Sequence, residues 1–360
     1  MGQHVIIKGA IRLNLYNSST YLMDLKTAAG CVPGMERLGG ASVLVTGATG
    51  TIGSFIVDML RAYIQEQGTG GQVIAAGRSR DRLAGRFGPE TDILHFVRYD
   101  LMEPIDFDIK ADYIIHAAGN AHPAAFNGDP VGTIMGNIDS TFHLLEYGRA
   151  HGTKRFLYVS SGEVYGQGDM RCDSFDESCS GSLDTTSPRS CYPSSKRAAE
   201  TLCASYTKQH GLETVIVRPC HTYGPGITDS DNRANVQFMR NVLNDEDIVL
   251  KSAGTQMRSY CYVADCASAI LTVLLNGMSG EAYNSANRDA RVTIADFAKA
   301  VAHAAGKSVR FAEPTAAELA DRTPIPRQVL SSEKLESLGW RGCYDVASGV
   351  RHTLDILLGK

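Results

Sequence analysis

Apolar residues along the chain fall into two alternating kinds of run, beginning at residue 42. SVLVTG (42–47), QVIAAG (72–77), ILHFVR (93–98), DYIIHAA (112–118), RFLYVSS (155–161) and TVIVRP (214–219) are short and mostly β-branched. Such runs predict strands buried on both faces. Between them the apolar period lengthens to that of a helix. Ile52, Ile56, Met59, Leu60 and Tyr63 predict a helix after the first strand. Val131, Ile134, Ile138, Phe142 and Leu145 predict one apolar helix face between the fourth and fifth. This alternation predicts an α/β fold, a Rossmann-type doubly wound parallel sheet with right-handed crossovers.

Past residue 220 the pattern loosens into loops, Gly/Pro turns and shorter helices, as expected of a smaller C-terminal substrate-binding lobe. The expected organisation is an N-terminal extension over 1–40, a dinucleotide-binding domain over 41–220 and a mainly substrate-binding lobe over 221–360. Residues 1–40 carry no motif; a helix around 19–28 packed on the domain and a flexible extension are both compatible with them.

Composition narrows the classes. Hydrophobic residues make up 43% and charged residues 21% of the 360, as in soluble globular proteins. A net charge of −4 gives no broad basic surface, so neither nucleic acid nor an acidic membrane is an expected partner. The apolar stretch AILTVLL (269–275) is too short to span a bilayer. The first residues lack the pattern of a signal peptide. Nine cysteines, an odd number with no CxxC pair, fit a reducing cytoplasm better than a disulfide framework. The ten histidines show no metal-ligand spacing, so no metal is expected.

The first chemistry-bearing motif is TGATGTIG (46–53), which sets Gly47, Gly50 and Gly53 between the first strand and its helix. Glycines there permit the tight turn, the approach of a pyrophosphate and close helix–strand packing. Glycine triples are common in turns, and the strand–turn–helix context is what points to a dinucleotide. Thr49, Thr51 and Ile52 of the same turn, Leu101, and Ala117 and Ala118 at the fourth strand's end complete the expected cradle. The second strand ends AGRSR, without the acid that usually holds an NAD ribose. Arg78 can stack on adenine and pair with a 2′-phosphate, so within NAD(P) the reading leans slightly to NADP. Asp100 is placed to bond the adenine amine or to form a turn.

SCYPSSKRAAET (190–201) carries Tyr192 and Lys196 four residues apart, on one helix face. A free tyrosine has a pKa near ~10, and lowering it by about 3 units takes roughly 4 kcal/mol of anion stabilisation. A lysine ammonium and a nicotinamide cation can supply it.

Taken with these motifs, DPVGTIMGNIDSTFHLLEYGRA (129–150), SSGEVYG (160–166), SPRSCYPSSKRAAETLCASY (187–206), TYGPG and GTQMRSYCYVAD (254–265) resemble the extended short-chain dehydrogenases/reductases that modify nucleotide sugars. Within that group the sequence is similar above all to the UDP-glucuronate decarboxylases (UDP-xylose synthases). The resemblance implies a bound NAD(P) and a transient 4-keto sugar. It implies that Ser161 bonds the sugar 4-hydroxyl, that Tyr192 takes its proton beside Lys196, and that Glu163 handles a proton at carbon 5. Glu163 paired outward with a basic residue is the alternative. Where 4,6-dehydratases carry an aspartic acid, this chain has Gly162.

For the substrate, the resemblance implies Arg258 on the diphosphate, Arg233 and Gln237 in the nucleotide region, and Arg327 facing a sugar carboxylate. His122 and His221 belong to the same pocket and depart from the decarboxylase pattern. It also implies a homodimer through the helices around 131–150 and 192–210. An epimerase or 4,6-dehydratase, an NADPH-dependent keto-sugar reductase and a non-catalytic dinucleotide sensor are the competing readings.

Overall fold

The six strand candidates lie side by side as β1 (Ser42–Thr46), β2 (Gln72–Gly77), β3 (Leu94–Arg98), β4 (Tyr113–His116), β5 (Arg155–Val159) and β6 (Thr214–Pro219). The computed structural model describes residues 15–360 except 120, 122, 229–230, 314–324 and 326. All neighbouring strands of this sheet are parallel, in the order β10-β6-β5-β4-β1-β2-β3, where β10 is Ala282–Ser285. Val45 stands between Ala75 of β2 and Ile115 of β4.

Alternate residues of β1 enter different cores. Val43 and Val45 pack in one apolar cluster and Leu44 in the other. Helices therefore cover both faces, which is why these strands read as unbroken apolar runs. One layer holds α1 (Ser19–Gly30), α2 (Thr51–Gln67) and α8 (Val263–Asn276); the other holds α5 (Pro130–Ala150) and α6 (Cys191–His210). The short α3 (Arg80–Phe87) and α4 (Pro123–Gly128) fill crossovers. Every residue from Val263 to Leu275 is buried, since α8 has the sheet on one side and α1 on the other. It is the crossover into β10, so the chain beyond 220 completes the sheet.

The smaller lobe is built around β9 (Met257–Tyr262), flanked by β7 (His221–Tyr223), β11 (Arg291–Thr293) and β13 (Arg327–Gln328). β8 (Ile248–Leu250) pairs with β12 (Val309–Phe311), and α7 (Ala234–Leu243), α9 (Ile294–Ala304) and α10 (Val346–Leu357) pack nearby.

Two findings go beyond the periodicity. The helix expected near 19–28 is α1, and its Asp24 is fully buried. That carboxylate accepts hydrogen bonds from Tyr262 (2.6 Å) and Tyr344 (2.8 Å) and shares one with His352 Nδ1 (2.8 Å). Ser18 Oγ, which caps α1, also bonds the carbonyl of Lys360. The apolar stripe of α5, by contrast, does not form its core face. Val131 is 70% and Phe142 44% exposed, while the buried residues from Thr133 to Thr141 are small or polar (Thr133, Gly136, Asn137, Ser140 and Thr141) and large apolar ones, Leu144, Leu145 and Tyr147, follow only in the second half. Of the stripe only Leu145 is fully buried.

Candidate active site

Strand order reverses between β1 and β4, and in open α/β sheets a crevice opens beyond the strand ends at that point. The glycine-rich turn is there. Gly47 has φ +66°, and a Cβ on it would lie 2.7 Å from the Ala117 carbonyl oxygen. A Cβ on Gly53 would strike the Gly47 carbonyl, so α2 rests directly on the turn. Gly50 caps α2 with no side-chain bond, which leaves the first amides and the positive end of the helix dipole for an anion. Thr49 is exposed at the tip, Ile52 packs on the core, and Thr51 Oγ1 donates to the Gly226 carbonyl at 2.7 Å. That bond ties the turn to the smaller lobe.

Around the rim, Arg78 stands exposed just past β2, and no carboxylate pairs with it among the described residues. Asp100 Oδ1 accepts the Met102 amide at 3.0 Å in a turn, with Leu101 beside Gly136. Ala117 and Ala118 form the floor, the Ala118 amide bonding Thr46 Oγ1 at 3.2 Å. Beneath them lies a residue the motifs did not flag. Buried His116 bonds Thr46 Oγ1 (2.8 Å) and Ser140 Oγ (3.1 Å), and burial, helped by the charge of Lys196, drops its pKa to about 3. It is a neutral brace. Asn137 is another: its Nδ2 donates to Thr133 O and Ser195 Oγ, while its buried Oδ1 has no partner. That oxygen and Lys196 Nζ both face Gly119, where a Cβ would come within 3.3 and 3.6 Å of them. Bare glycines, open helix amides and an orphaned acceptor fit a bound dinucleotide.

Tyr192 and Lys196 share the inner face of α6, 4% and 3% exposed. Lys196 Nζ donates to the Val159 carbonyl at 3.0 Å and lies 4.6 Å over the Tyr158 ring and 5.7 Å from the Tyr192 ring. Burial brings its pKa down to about 8, opposed by Glu200 and Cys203. In the protein alone Tyr192 moves the other way. Burial pushes its phenol well up and the charge of Glu163 adds to this; a hydrogen bond from Ser161 and the charges of Arg233 and Arg189 pull it down. The lowering expected from the lysine is therefore not supplied by the polypeptide by itself, because desolvation wins.

Ser161 lies two residues past β5 and caps the 3₁₀ turn Gly162–Tyr165, its Oγ accepting the Glu163 amide at 3.1 Å. This sets Glu163 beside Tyr192. Its carboxylate is partnered: Arg189 Nη2 donates to both oxygens, at 3.1 and 3.0 Å. At Gly162 a Cβ would come 3.1 Å from Leu330 Cδ1 and 3.3 Å from the Pro219 carbonyl. An aspartic acid has no room there without repacking. Gln328 Nε2 closes the same spot by bonding the Gly162 carbonyl at 3.0 Å.

On the substrate side, Arg258 is 5% exposed and bonds only backbone carbonyls among the described residues, those of Met257 (2.9 Å) and Ile325 (2.8 Å). Arg233 pairs with Asp231 at 2.6 Å. The charges of both arginines reach His221, whose pKa falls to about 3, chiefly through burial. His221, Arg233, Arg258 and Tyr192 thus converge. Gln237 does not join them; it is on the exposed side of α7, bonded to Asn241 at 3.4 Å. The buried polar residue of that helix is Asn235, whose Nδ2 has no partner among the described residues. Arg327 turns to the Cys172 carbonyl (2.8 Å) and Asp173. His122 lies outside the described residues.

A parallel sheet with a phosphate turn at its switch point, and a Ser–Tyr–Lys group at the neighbouring strand ends, defines a nicotinamide-dinucleotide enzyme of the short-chain dehydrogenase/reductase type. The chain belongs to the NAD dependent epimerase/dehydratase family, whose model matches residues 43–286. It is 32% identical to UDP-glucuronic acid decarboxylase 3 of Arabidopsis thaliana over 320 residues, covering 88% of this chain and 87% of that one. To UDP-glucuronic acid decarboxylase 6 of the same plant it is 35% identical over 243 residues, 66% and 67% of the two chains. Among solved structures, it resembles the dTDP-glucose 4,6-dehydratase DesIV of Streptomyces venezuelae, with NAD and TYD bound (TM-score 0.71, 25% identity, 88% and 96% of the chains covered). The UDP-glucose 4-epimerase of Thermus thermophilus, in complex with NAD, is as similar (TM-score 0.71, 26%, 88% and 99%).

Proposed function

We propose that the protein decarboxylates a nucleotide-bound hexuronate, in the manner of a UDP-glucuronate decarboxylase, by way of a 4-keto sugar. The observation that carries this reading is the carboxylate of Glu163, two residues past Ser161 and close enough to Tyr192 to act on its ionisation. A 4-epimerase needs only the ketone; an acid at this point serves chemistry at carbon 5. The relatives named UDP-glucuronic acid decarboxylase and the closed space at Gly162 favour loss of carbon dioxide over loss of water.

Each residue has a distinct task. Arg258, a buried guanidinium with no carboxylate partner among the described residues, takes the diphosphate. Ser161 orients the sugar 4-hydroxyl, and Tyr192 removes its proton. Lys196, held by the Val159 carbonyl, keeps a positive charge beside the tyrosine. The nicotinamide of a bound NAD(P) supplies hydride acceptance and return at carbon 4. Glu163 moves a proton at carbon 5 once carbon 6 has left. Purified protein given UDP-glucuronate and a panel of nucleotide sugars should yield a product lighter by one carbon dioxide. An isomer of unchanged mass, or a product lighter by water, would refute decarboxylation.

Three finer points belong to this reading. Arg78, without a carboxylate partner among the described residues, and the missing acid after β2 favour NADP, although DesIV and the Thermus epimerase were solved with NAD. Arg78→Ala should weaken NADP binding by about tenfold and NAD far less, since a charge-assisted bond to a phosphate is at stake. Equal losses in a fluorescence titration would leave Arg78 a surface residue. Second, the exposed stripe Val131, Met135 and Phe142 on α5 suits a homodimer formed through α5 and α6. Light scattering at micromolar concentration should give twice the mass of one chain, and a monomer mass would count against it. Third, all nine cysteines are free thiols, in keeping with a cytoplasmic setting.

A further inference from the structure

Arg189 was not among the residues that the motifs singled out, yet three parts of the site meet on it. It sits in the 3₁₀ turn Pro188–Ser190 just before α6. Its Nη2 donates to both oxygens of Glu163, 26 positions earlier, at 3.1 and 3.0 Å. Its guanidinium carbon lies 4.7 Å from the centre of the Phe126 ring. Phe126, fully buried, stacks on Tyr192 with ring centres 4.5 Å apart and planes within 19°. Glu163, Arg189, Phe126 and Tyr192 form a chain of contacts at the tip of β5.

We propose that Arg189 is a positioning residue that holds Glu163 at the strand tip and cancels the carboxylate's field at Tyr192. This role presupposes that Tyr192 is the base of the proposed reaction. A carboxylate beside a buried phenol works against phenolate formation, so placing an acid for carbon 5 next to the base for the 4-hydroxyl is a conflict. A cation bonded to that acid removes the conflict while leaving the carboxylate ionised. The two charges act on Tyr192 in opposite senses, as their pairing requires. The other groups facing the phenol are Ser161, Arg233 at the start of α7, Tyr158 and Lys196. None of these bridges Glu163 among the described residues. The Phe126 ring touches both the guanidinium and the Tyr192 ring.

The test reads the pH dependence of nicotinamide reduction in one turnover with UDP-glucuronate, the protein being loaded with NAD and, in a parallel series, with NADP. Removing the arginine's charge raises the pKa of Tyr192, so less phenolate is present at a given pH. In Arg189→Met the acid limb should therefore move up by about one pH unit. In Glu163→Gln/Arg189→Met both fields are gone and the limb should return to within a few tenths of wild type. Arg189→Lys keeps the charge and should keep the limb in place. A merely structural arginine predicts lower amplitude in all three variants, with no shift and no rescue by the second substitution; that result overturns the proposal. A melting temperature for each variant separates loss of fold from loss of charge. Wild-type protein that reduces NAD but releases no carbon dioxide refutes decarboxylation while the Arg189 comparison still reads out. If no nucleotide sugar in the panel reduces the nicotinamide, the base assignment and this proposal fall together.

Discussion

Tyr192→Phe is expected to fold, to bind dinucleotide and to lose turnover by about 10²–10⁴-fold, the usual weight of a positioned acid–base group. The substitution removes one oxygen and nothing else. The ring that remains keeps its stack on Phe126 at 4.5 Å and its place on the buried face of α6. Lys196 keeps its bond to the Val159 carbonyl, so the lysine does not depend on the phenol for its position. What disappears is the acceptor of the 4-hydroxyl proton, the phenol oxygen that meets Ser161. Melting temperature and cofactor fluorescence check the first two expectations, and steady-state rates check the third. Turnover within a few-fold of wild type would move the base elsewhere.

Glu163→Gln should stop the reaction later. With Ser161, Tyr192 and Lys196 intact, the bound cofactor should still become reduced within a single turnover. An amide cannot exchange a proton at neutral pH, so the steps at carbon 5 stall. The reduced-nicotinamide absorbance should rise and fail to decay, with final product down by about 10²-fold or more. The side-chain oxygen of glutamine can still accept from Arg189, so the surroundings change little. A variant that completes its cycle at the normal rate would make the carboxylate a structural partner of Arg189, and a 4-epimerase would become the better reading.

Much of the fold could be read from the chain because β1 to β6 are buried on both faces, and burial on both faces leaves a continuous apolar run with sharp ends. The glycine turn was legible for a related reason: a carbonyl 2.7 Å from the absent Cβ of Gly47 admits no other residue. Elsewhere the pattern was silent. β10 reads AYNS, too short and polar to announce a seventh strand. The stripe on α5 revealed which residues share a face, but periodicity does not say what that face meets. The partner of Glu163 was hidden because the pairing joins a strand tip to a turn 26 positions away. Arg327 was placed by a likeness along a poorly matched stretch, and its contacts are with the 172–173 loop.

The burial of Asp24 has a consequence for how the molecule is made. Its hydrogen-bond donors are Tyr262, Tyr344 and His352, as many as 328 positions later in the chain. During synthesis α1 emerges before all three of these residues, and its carboxylate has none of them. At about 5–20 residues per second, ~15–65 s pass between translation of Asp24 and of Tyr344. Until then burial would leave that carboxyl group without its hydrogen bonds, which costs free energy, so α1 stays hydrated until they arrive. Docking of α1 is thus set to be a late step in folding on the ribosome, gated by the arrival of two tyrosines and a histidine rather than by its own helical propensity.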